Sequence, residues 1–373
     1  MKQVEKLAEF VFYFFFGSLI FSNTLAQGLA IFLIILWIVK WIATRKFVRA
    51  PLDLAVSIFL FFRVVSCFTS VDRAVSFEEL HSRIFFSLIY FAFTNLMEKS
   101  GKHRIYRYIA VLVYAGVVSS VYGTVFSLLH HFAKAQSTAG GITRFAEYTM
   151  IAFCFAFTLS HKKDIFSSRF VAFLSVGILG AGLIFAQERA QWLGIVPVIF
   201  VHGLRKKRLL FGYMVVVFAG LILMLRALRE RAGSLLHPLY NSSGRLTIWR
   251  GARMLLLKRP IFGFGPRTYS VISPFLKDRG SWHSDYLQIY LESGILGFLS
   301  YVFLSFMLFA RCIKICKGER TKDIGFAILF ALVAMYMVSF FSGHMQEPVI
   351  SPLFFSLIGF VSVLSKTEEL TVK

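Results

Sequence analysis

The chain has 373 residues, of which 57% are hydrophobic, 17% aromatic and only 16% charged. A water-soluble domain carries about 25% charged residues. The shortfall, together with repeated apolar runs of membrane-spanning length, excludes a cytosolic globular enzyme, a disordered chain, a coiled coil and a disulfide scaffold. Forty-one Lys and Arg against 19 Asp and Glu give a formal net charge of +22. On a membrane protein, the question is which side that charge faces.

Twelve apolar segments, each bounded by charge or turn residues, follow one another along the chain. They lie at roughly 7–22, 25–43, 52–68, 83–97, 105–129, 145–160, 169–187, 189–202, 209–226, 287–310, 324–342 and 348–365. The first does not read as a cleavable leader: Glu5 and Glu9 interrupt its basic start, and no small-residue cleavage site follows. The segment at 189–202 is short. The expectation is an all-α polytopic membrane protein of about twelve transmembrane helices. It divides into residues 1–226 (spans one to nine), a basic extramembrane loop at 227–286, and residues 287–373 (spans ten to twelve and a short tail).

Orientation comes from alternate short loops. One set holds Arg45, Lys46 and Arg49; Lys99, Lys102, Arg104 and Arg107; Lys162 and Lys163; Arg205 to Arg208; and Arg311, Lys314, Lys317, Arg320 and Lys322. Excess Lys and Arg mark the cytoplasmic side, so both termini are expected there and residues 227–286 face outward. With Arg226, that outward segment carries nine Arg and two Lys against Glu230, Asp278 and Asp285, a net of +8. Long loops cross regardless of charge. The charge suits either anionic headgroups or a pocket for a polyanion, and the preference for Arg over Lys suits phosphate, which guanidinium grips through two parallel hydrogen bonds.

Within the loop, Asn241-Ser242-Ser243-Gly244 reads as a turn with helix N-cap candidates. Arg245 to Leu257 then reads as an amphipathic helix, with Ile248, Ala252 and Leu255 on one face and Arg250 and Arg253 on another. Pro260 ends it. Phe262-Gly263-Phe264-Gly265-Pro266-Arg267 is a tight glycine turn carrying an arginine; it lacks the third glycine and the preceding strand of a dinucleotide fingerprint.

Chemistry has few places to reside. No DxD, HExxH, GxSxG or Walker motif occurs, and the six aspartates are scattered. No carboxylate pair is therefore available to hold Mg²⁺ between phosphates, and arginines would have to neutralise phosphate charge instead. Cys312 and Cys316 have one-turn spacing, but no further ligand stands nearby to complete a zinc site. Neither a metal nor another cofactor is expected.

The strongest local signal is the run from Trp282-His283-Ser284-Asp285-Tyr286-Leu287-Gln288 through Glu292, Gly294 and Gly297. His283 stands where the outward loop enters span ten. A lone histidine at a membrane boundary is often only interfacial, but an imidazole titrates near neutral pH and can take a proton from a hydroxyl. Asp285 and Glu292 are seven apart and share a helix face; Asp285 either orients the site or caps the helix. The second signal is Gln187-Glu188-Arg189-Ala190-Gln191-Trp192, at the end of span seven. Ionisable residues at that depth are costly and so are functional candidates, although an arginine there also snorkels to headgroups. Glu188 and Arg189 are neighbours and do not face each other on a helix. Arg63, and Arg144 with Glu147, are weaker candidates of the same kind. His130-His131 reads as a solvated loop end.

These features in this order resemble the O-antigen ligase and polymerase superfamily, the Wzy_C-type membrane glycosyltransferases. The elements carrying the likeness are Gln187 to Trp192, Gly244-Arg245 with Trp249, Pro260 with the Gly263-Phe264-Gly265 turn, and His283-Ser284-Asp285-Tyr286-Leu287-Gln288 with Glu292 and Gly294. They cover roughly residues 185–300, and the compact chain with one large loop looks more like the ligase branch. The resemblance implies glycan transfer on the periplasmic face of a bacterial inner membrane, from undecaprenyl diphosphate to a sugar hydroxyl of lipid A–core, without metal and with inversion. It implies His283 as general base, with Arg189 and Arg245 on the donor diphosphate. Arg250, Arg267, Asp285, Glu188 and Gln187 are further substrate-side candidates. The partners implied are lipids and lipid-linked glycan, not nucleic acid. Two alternatives stay open: a polymerase or related oligosaccharyltransferase of the same superfamily, and a transporter of an anion or lipid-linked sugar.

Overall fold

The computed structural model describes residues 2–80, 84–98, 101–203, 245–273 and 281–372, with a few isolated positions between 204 and 244. The expected ninth span, the Asn241–Gly244 turn and much of the arginine-rich loop lie outside the described residues.

Every regular element among the described residues is helical. In chain order these are α1 (Lys2–Ser18), α2 (Asn23–Thr44), α3 (Asp53–Phe68), α4 (Arg73–Glu79), α5 (Ile89–Leu96, after a 3₁₀ turn at Phe85–Leu88), α6 (Lys102–Leu129), α7 (Ile142–Thr158), α8 (Arg169–Ala186), α9 (Arg189–Val198), α10 (Arg245–Leu255), α11 (Asp285–Lys317), α12 (Lys322–Val338) and α13 (Ile350–Val372). Eleven of the twelve apolar segments coincide with described helices. Among the described residues, five helices are long and apolar enough to cross a membrane: Asn23–Thr44, Lys102–Leu129, Arg169–Ala186, Asp285–Lys317 and Ile350–Glu368. Helices α1, α3, α7 and α12 are apolar but only 16 or 17 residues long.

Local chemistry sets several boundaries. The hydroxyls of Ser22 and Ser168 accept from the amides of Leu25 and Val171, capping α2 and α8. Pro197 sits inside α9, and the helix widens into a π turn at Ile199–Gly203. Proline removes a donor and crowds the preceding turn, which accounts for the brevity of this segment. Small residues let α6, α7 and α8 approach closely: a Cβ on Gly116 would meet Ala152 and Leu179, and one on Gly182 would meet Ser120. The central packing is aromatic, with Phe12, Phe16, Phe93, Tyr108 and Phe360 in mutual ring contact.

The alternate loops gather at opposite ends of the bundle. At one end Lys162 pairs with Asp323 (2.5 Å), His103 with Asp164 (3.1 Å), and Lys102 donates to Arg320 O (3.4 Å). These residues come from the Lys- and Arg-rich loops. At the other end Arg144 reaches Asn23 (2.7 Å) and Glu347 (3.3 Å), Lys134 reaches Glu188 (2.6 Å), and the start of α11 lies against the end of α12 through Asp285 N to Ser339 O (2.9 Å). The candidate site residues belong to this second end.

Candidate functional site

The site is built on a break in α11. Gly294 has φ 64° and ψ −167°, so the helix stops and restarts there. The glycine turn fills the gap: Phe264 N donates to Leu291 O (2.7 Å), Gly265 N to Glu292 O (2.9 Å) and Ile295 N to Pro260 O (2.7 Å). Backbone lies directly on backbone. A Cβ on Gly263 would sit 2.6 Å from Glu292 O, and one on Gly294 would sit 2.6 Å from Phe262 N and closer still to Ile261 O. Both glycines have positive φ, so both the space and the conformation demand them. On its other side the turn rests on the α3–α4 junction, where Val71 N and Ser70 Oγ donate to Phe264 O (3.0 and 3.1 Å) and Ser76 Oγ to Pro266 O (2.8 Å).

Glu292 organises this junction. Its Oε2 accepts from Arg63 Nη1 (2.6 Å); its Oε1 accepts from Arg267 N (3.0 Å) and from Gln288 Nε2. Glu292 is 1% and Arg63 8% exposed, so two full charges are buried together. Such a pair persists only when its remaining lone pairs are also satisfied, and here a main-chain amide and a side-chain amide do that. Ser66 and Ser293 complete the contact (3.1 Å). Arg63 thus holds Glu292, which in turn accepts from Arg267 N just past the glycine turn. The Arg267 guanidinium pairs with Glu78 Oε1 (2.5 Å) at the surface.

His283 stands one step outside this junction. Its neighbour Trp282 is buried, donates its amide to Gln288 Oε1 (3.2 Å), and its carbonyl accepts from Trp249 Nε1 (3.1 Å). Trp249 is one turn along α10 from Arg245, so the loop bearing His283 and the helix opened by Arg245 are joined. Ile248, Ala252 and Leu255 of α10 pack with Phe264, Tyr269, Trp282 and Leu291 in a small separate core, while Arg250 and Arg253 are exposed on the far face as their spacing implies. The helix ends at Leu255, two residues short of the expected Leu257. His283 is half-buried and left-handed at φ 50°, a conformation that costs a non-glycine residue about 1–3 kcal/mol and that its surroundings must offset.

Asp285 faces inward, as the seven-residue spacing from Glu292 implies, and Ser284 rather than Asp285 occupies the N-cap position of α11. Asp285 Oδ1 accepts from Met345 N (3.1 Å), and Oδ2 lies 2.8 Å from His344 Nδ1, with both side chains essentially sealed from solvent (0% and 1%). Ser339 Oγ is 3.0 Å from the same nitrogen. Burial alone would push the His344 imidazole down; the Asp285 carboxylate beside it, with Glu147 nearby, outweighs this and holds it above the ordinary value. Glu147 is itself buried and accepts from Ser342 Oγ (2.8 Å). Sequence reasoning missed His344. The available signal was an isolated histidine, with Glu347, in the short polar stretch between the last two apolar segments.

The other sequence motif stands on different supports. Gln187 is left-handed at φ 56° and donates its amide to Phe132 O (2.9 Å); Glu188 pairs with Lys134 rather than with its neighbour Arg189. Arg189 opens α9, which packs on α7 and α12: a Cβ on Gly194 would meet Met150, Ala334 O and Val338. Arg189 therefore shares an end of the bundle with His283, while Gln187 and Glu188 are tied to the loop between α6 and α7. Arg144 and Glu147 do not pair with each other; Arg144 turns to Glu347 and Asn23 instead.

The architecture is that of a multi-pass membrane protein with polar side chains collected at one end of its helices. In a comparison with protein families, residues 173–302 match the model of Wzy_C, described as O-antigen ligase. The matched stretch contains Arg189, Arg245, Arg267, His283 and Glu292. No match is found among curated proteins.

Proposed function

We propose that the protein is an O-antigen ligase, transferring a glycan from undecaprenyl diphosphate to a sugar hydroxyl of lipid A–core on the periplasmic face of a bacterial inner membrane. One observation carries this reading. The family-matched region contains the glycine turn, the main-chain bonds that seat it on the helix following His283, and Glu292, which Arg63 of α3 holds from outside that region.

In this scheme the His283 imidazole takes the proton from the acceptor hydroxyl as that oxygen attacks the anomeric carbon in line, inverting it. Arg189 and Arg245 hold the donor diphosphate and stabilise the negative charge that grows on it as the glycosyl bond breaks. Arg250 and Arg267 border the diphosphate, and Gln187 and Glu188 set the approach to Arg189. Asp285 acts from behind, on the main chain leading to His283. The polymerase reading uses the same residues and differs only in the acceptor.

The test is transfer by purified protein from undecaprenyl-diphosphate-linked glycan, with and without lipid A–core and with and without EDTA. Ligation that needs lipid A–core and survives EDTA supports the reading. Chain growth without lipid A–core assigns the polymerase instead, flux of the lipid-linked sugar without transfer assigns a transporter, and a strict requirement for added Mg²⁺ overturns the arginine scheme.

A further inference from the structure

We propose that His344 is a positioning residue for the transfer site: while protonated, it pins Asp285 and thereby the left-handed main chain that carries His283. The inference rests on the function proposed above, but its geometry stands independently. His344 lies in the loop between α12 and α13, remote in sequence from Asp285, and that loop grips Asp285 at three points. Asp285 N donates to Ser339 O (2.9 Å), Asp285 Oδ1 accepts from Met345 N (3.1 Å), and Asp285 Oδ2 faces His344 Nδ1 at 2.8 Å. His283 is two residues away and holds φ 50°. A non-glycine residue in that region carries strain that its surroundings hold, and here the hold on its C-terminal side is the start of α11, anchored through Asp285.

The groups around His344 make the anchor depend on protonation. Asp285 faces it from α11 and Glu147 from α7, and the Phe354 ring of α13 closes another side at 5.7 Å. Ser339 and Ser342 are the hydroxyls of its own segment; Ser342 donates to Glu147 (2.8 Å). Tyr301 and Tyr336 lie beyond Asp285, stacked on each other at 5.9 Å, and Glu347 turns outward to Arg144. Protonated His344 is thus the cation facing two buried carboxyl groups. Its raised pKa fixes the sign: the pair is complete below the ordinary imidazole value and is lost as pH rises through the higher folded-state value. Transfer then has an alkaline limb set by the His344–Asp285 pair.

The experiment follows transfer rate and Trp282 emission from pH 5.5 to 9.5 in wild type, His344→Gln, Asp285→Asn and the double variant, with Trp282→Phe assigning the emission. In wild type, Trp282 emission and the alkaline fall in rate are expected to share one midpoint. Each single variant is expected to lose about 10²-fold in kcat, the scale of a small misplacement of a reacting group, with donor KM within threefold, and to lose both the alkaline limb and the emission change. The double variant should be no worse than either single one. If His344→Gln does not reach the membrane folded, Asp285→Asn carries the same comparison. An alkaline limb that persists unchanged in His344→Gln or Asp285→Asn, losses that add in the double variant, or pH-independent Trp282 emission in wild type overturns the assignment. Emission that titrates and is abolished by His344→Gln, in a protein that transfers no glycan to any acceptor, sustains the pin and overturns the ligase reading.

Discussion

Replacing Gly294 by alanine tests the junction on which the site is built. At φ 64° and ψ −167° the residue occupies a region essentially reserved for glycine, and forcing a side chain there costs about 1–3 kcal/mol. The new methyl group would also meet the Ile261 carbonyl, so the turn must move away. That movement breaks the bonds from Phe264 N, Gly265 N and Ile295 N, at 2.7, 2.9 and 2.7 Å. At about 0.5–1.5 kcal/mol each, the combined penalty is roughly 3–7 kcal/mol. A factor of ten corresponds to about 1.4 kcal/mol, so protection of these three amides from hydrogen exchange should fall by at least about a hundredfold, and glycan transfer should fall with it. Gly28→Ala is the control: it lies inside α2 with nothing within 4 Å of a built Cβ, and alanine there should be neutral or slightly stabilising. Wild-type protection of Phe264, Gly265 and Ile295 in Gly294→Ala, or undiminished transfer, would refute the argument.

Other perturbations separate support from chemistry. Arg63→Ala leaves Glu292 charged and buried without its cation, which should cost about 3–5 kcal/mol. Arg63→Met combined with Glu292→Gln should recover part of that loss in detergent thermal unfolding, and strictly additive losses would argue against the pair. His283→Ala should lose about 10²–10⁴-fold in transfer while retaining the elution profile and unfolding temperature of the parent. Arg189→Ala and Arg245→Ala should each weaken donor use in steady-state transfer, and wild-type kinetics in both would remove them from the diphosphate site.

Much of the architecture was legible because its causes are local. Apolar runs located eleven helices, although α1, α11 and α13 run five to seven residues past the expected bounds. The amphipathic face of α10 was equally plain, since Ile248, Ala252 and Leu255 repeat at helical spacing. What the sequence hid was long-range. Gly263 and Gly294 were visible as glycines, but nothing local says that each leaves room for the other's strand of main chain. Arg63 and Glu292 stand far apart along the chain, and spacing rules address only neighbours on one helix. His344 lacked any motif; its significance arises only because α12 ends beside the start of α11. The pairing of Glu188 with Lys134 depends likewise on a loop whose path no periodicity describes.

The interruption of α11 has a consequence for how this surface can evolve. The glycine turn is stitched to α11 largely through peptide groups and glycines, whose contacts do not depend on the side chains of α10. Substitutions along the exposed edge of α10, at Arg250 and Arg253, can therefore accumulate without shifting the platform beneath. Only a handful of positions in the seam are barred from drifting, Gly263 and Gly294 first among them, and they are the ones that keep the two stretches of main chain in register.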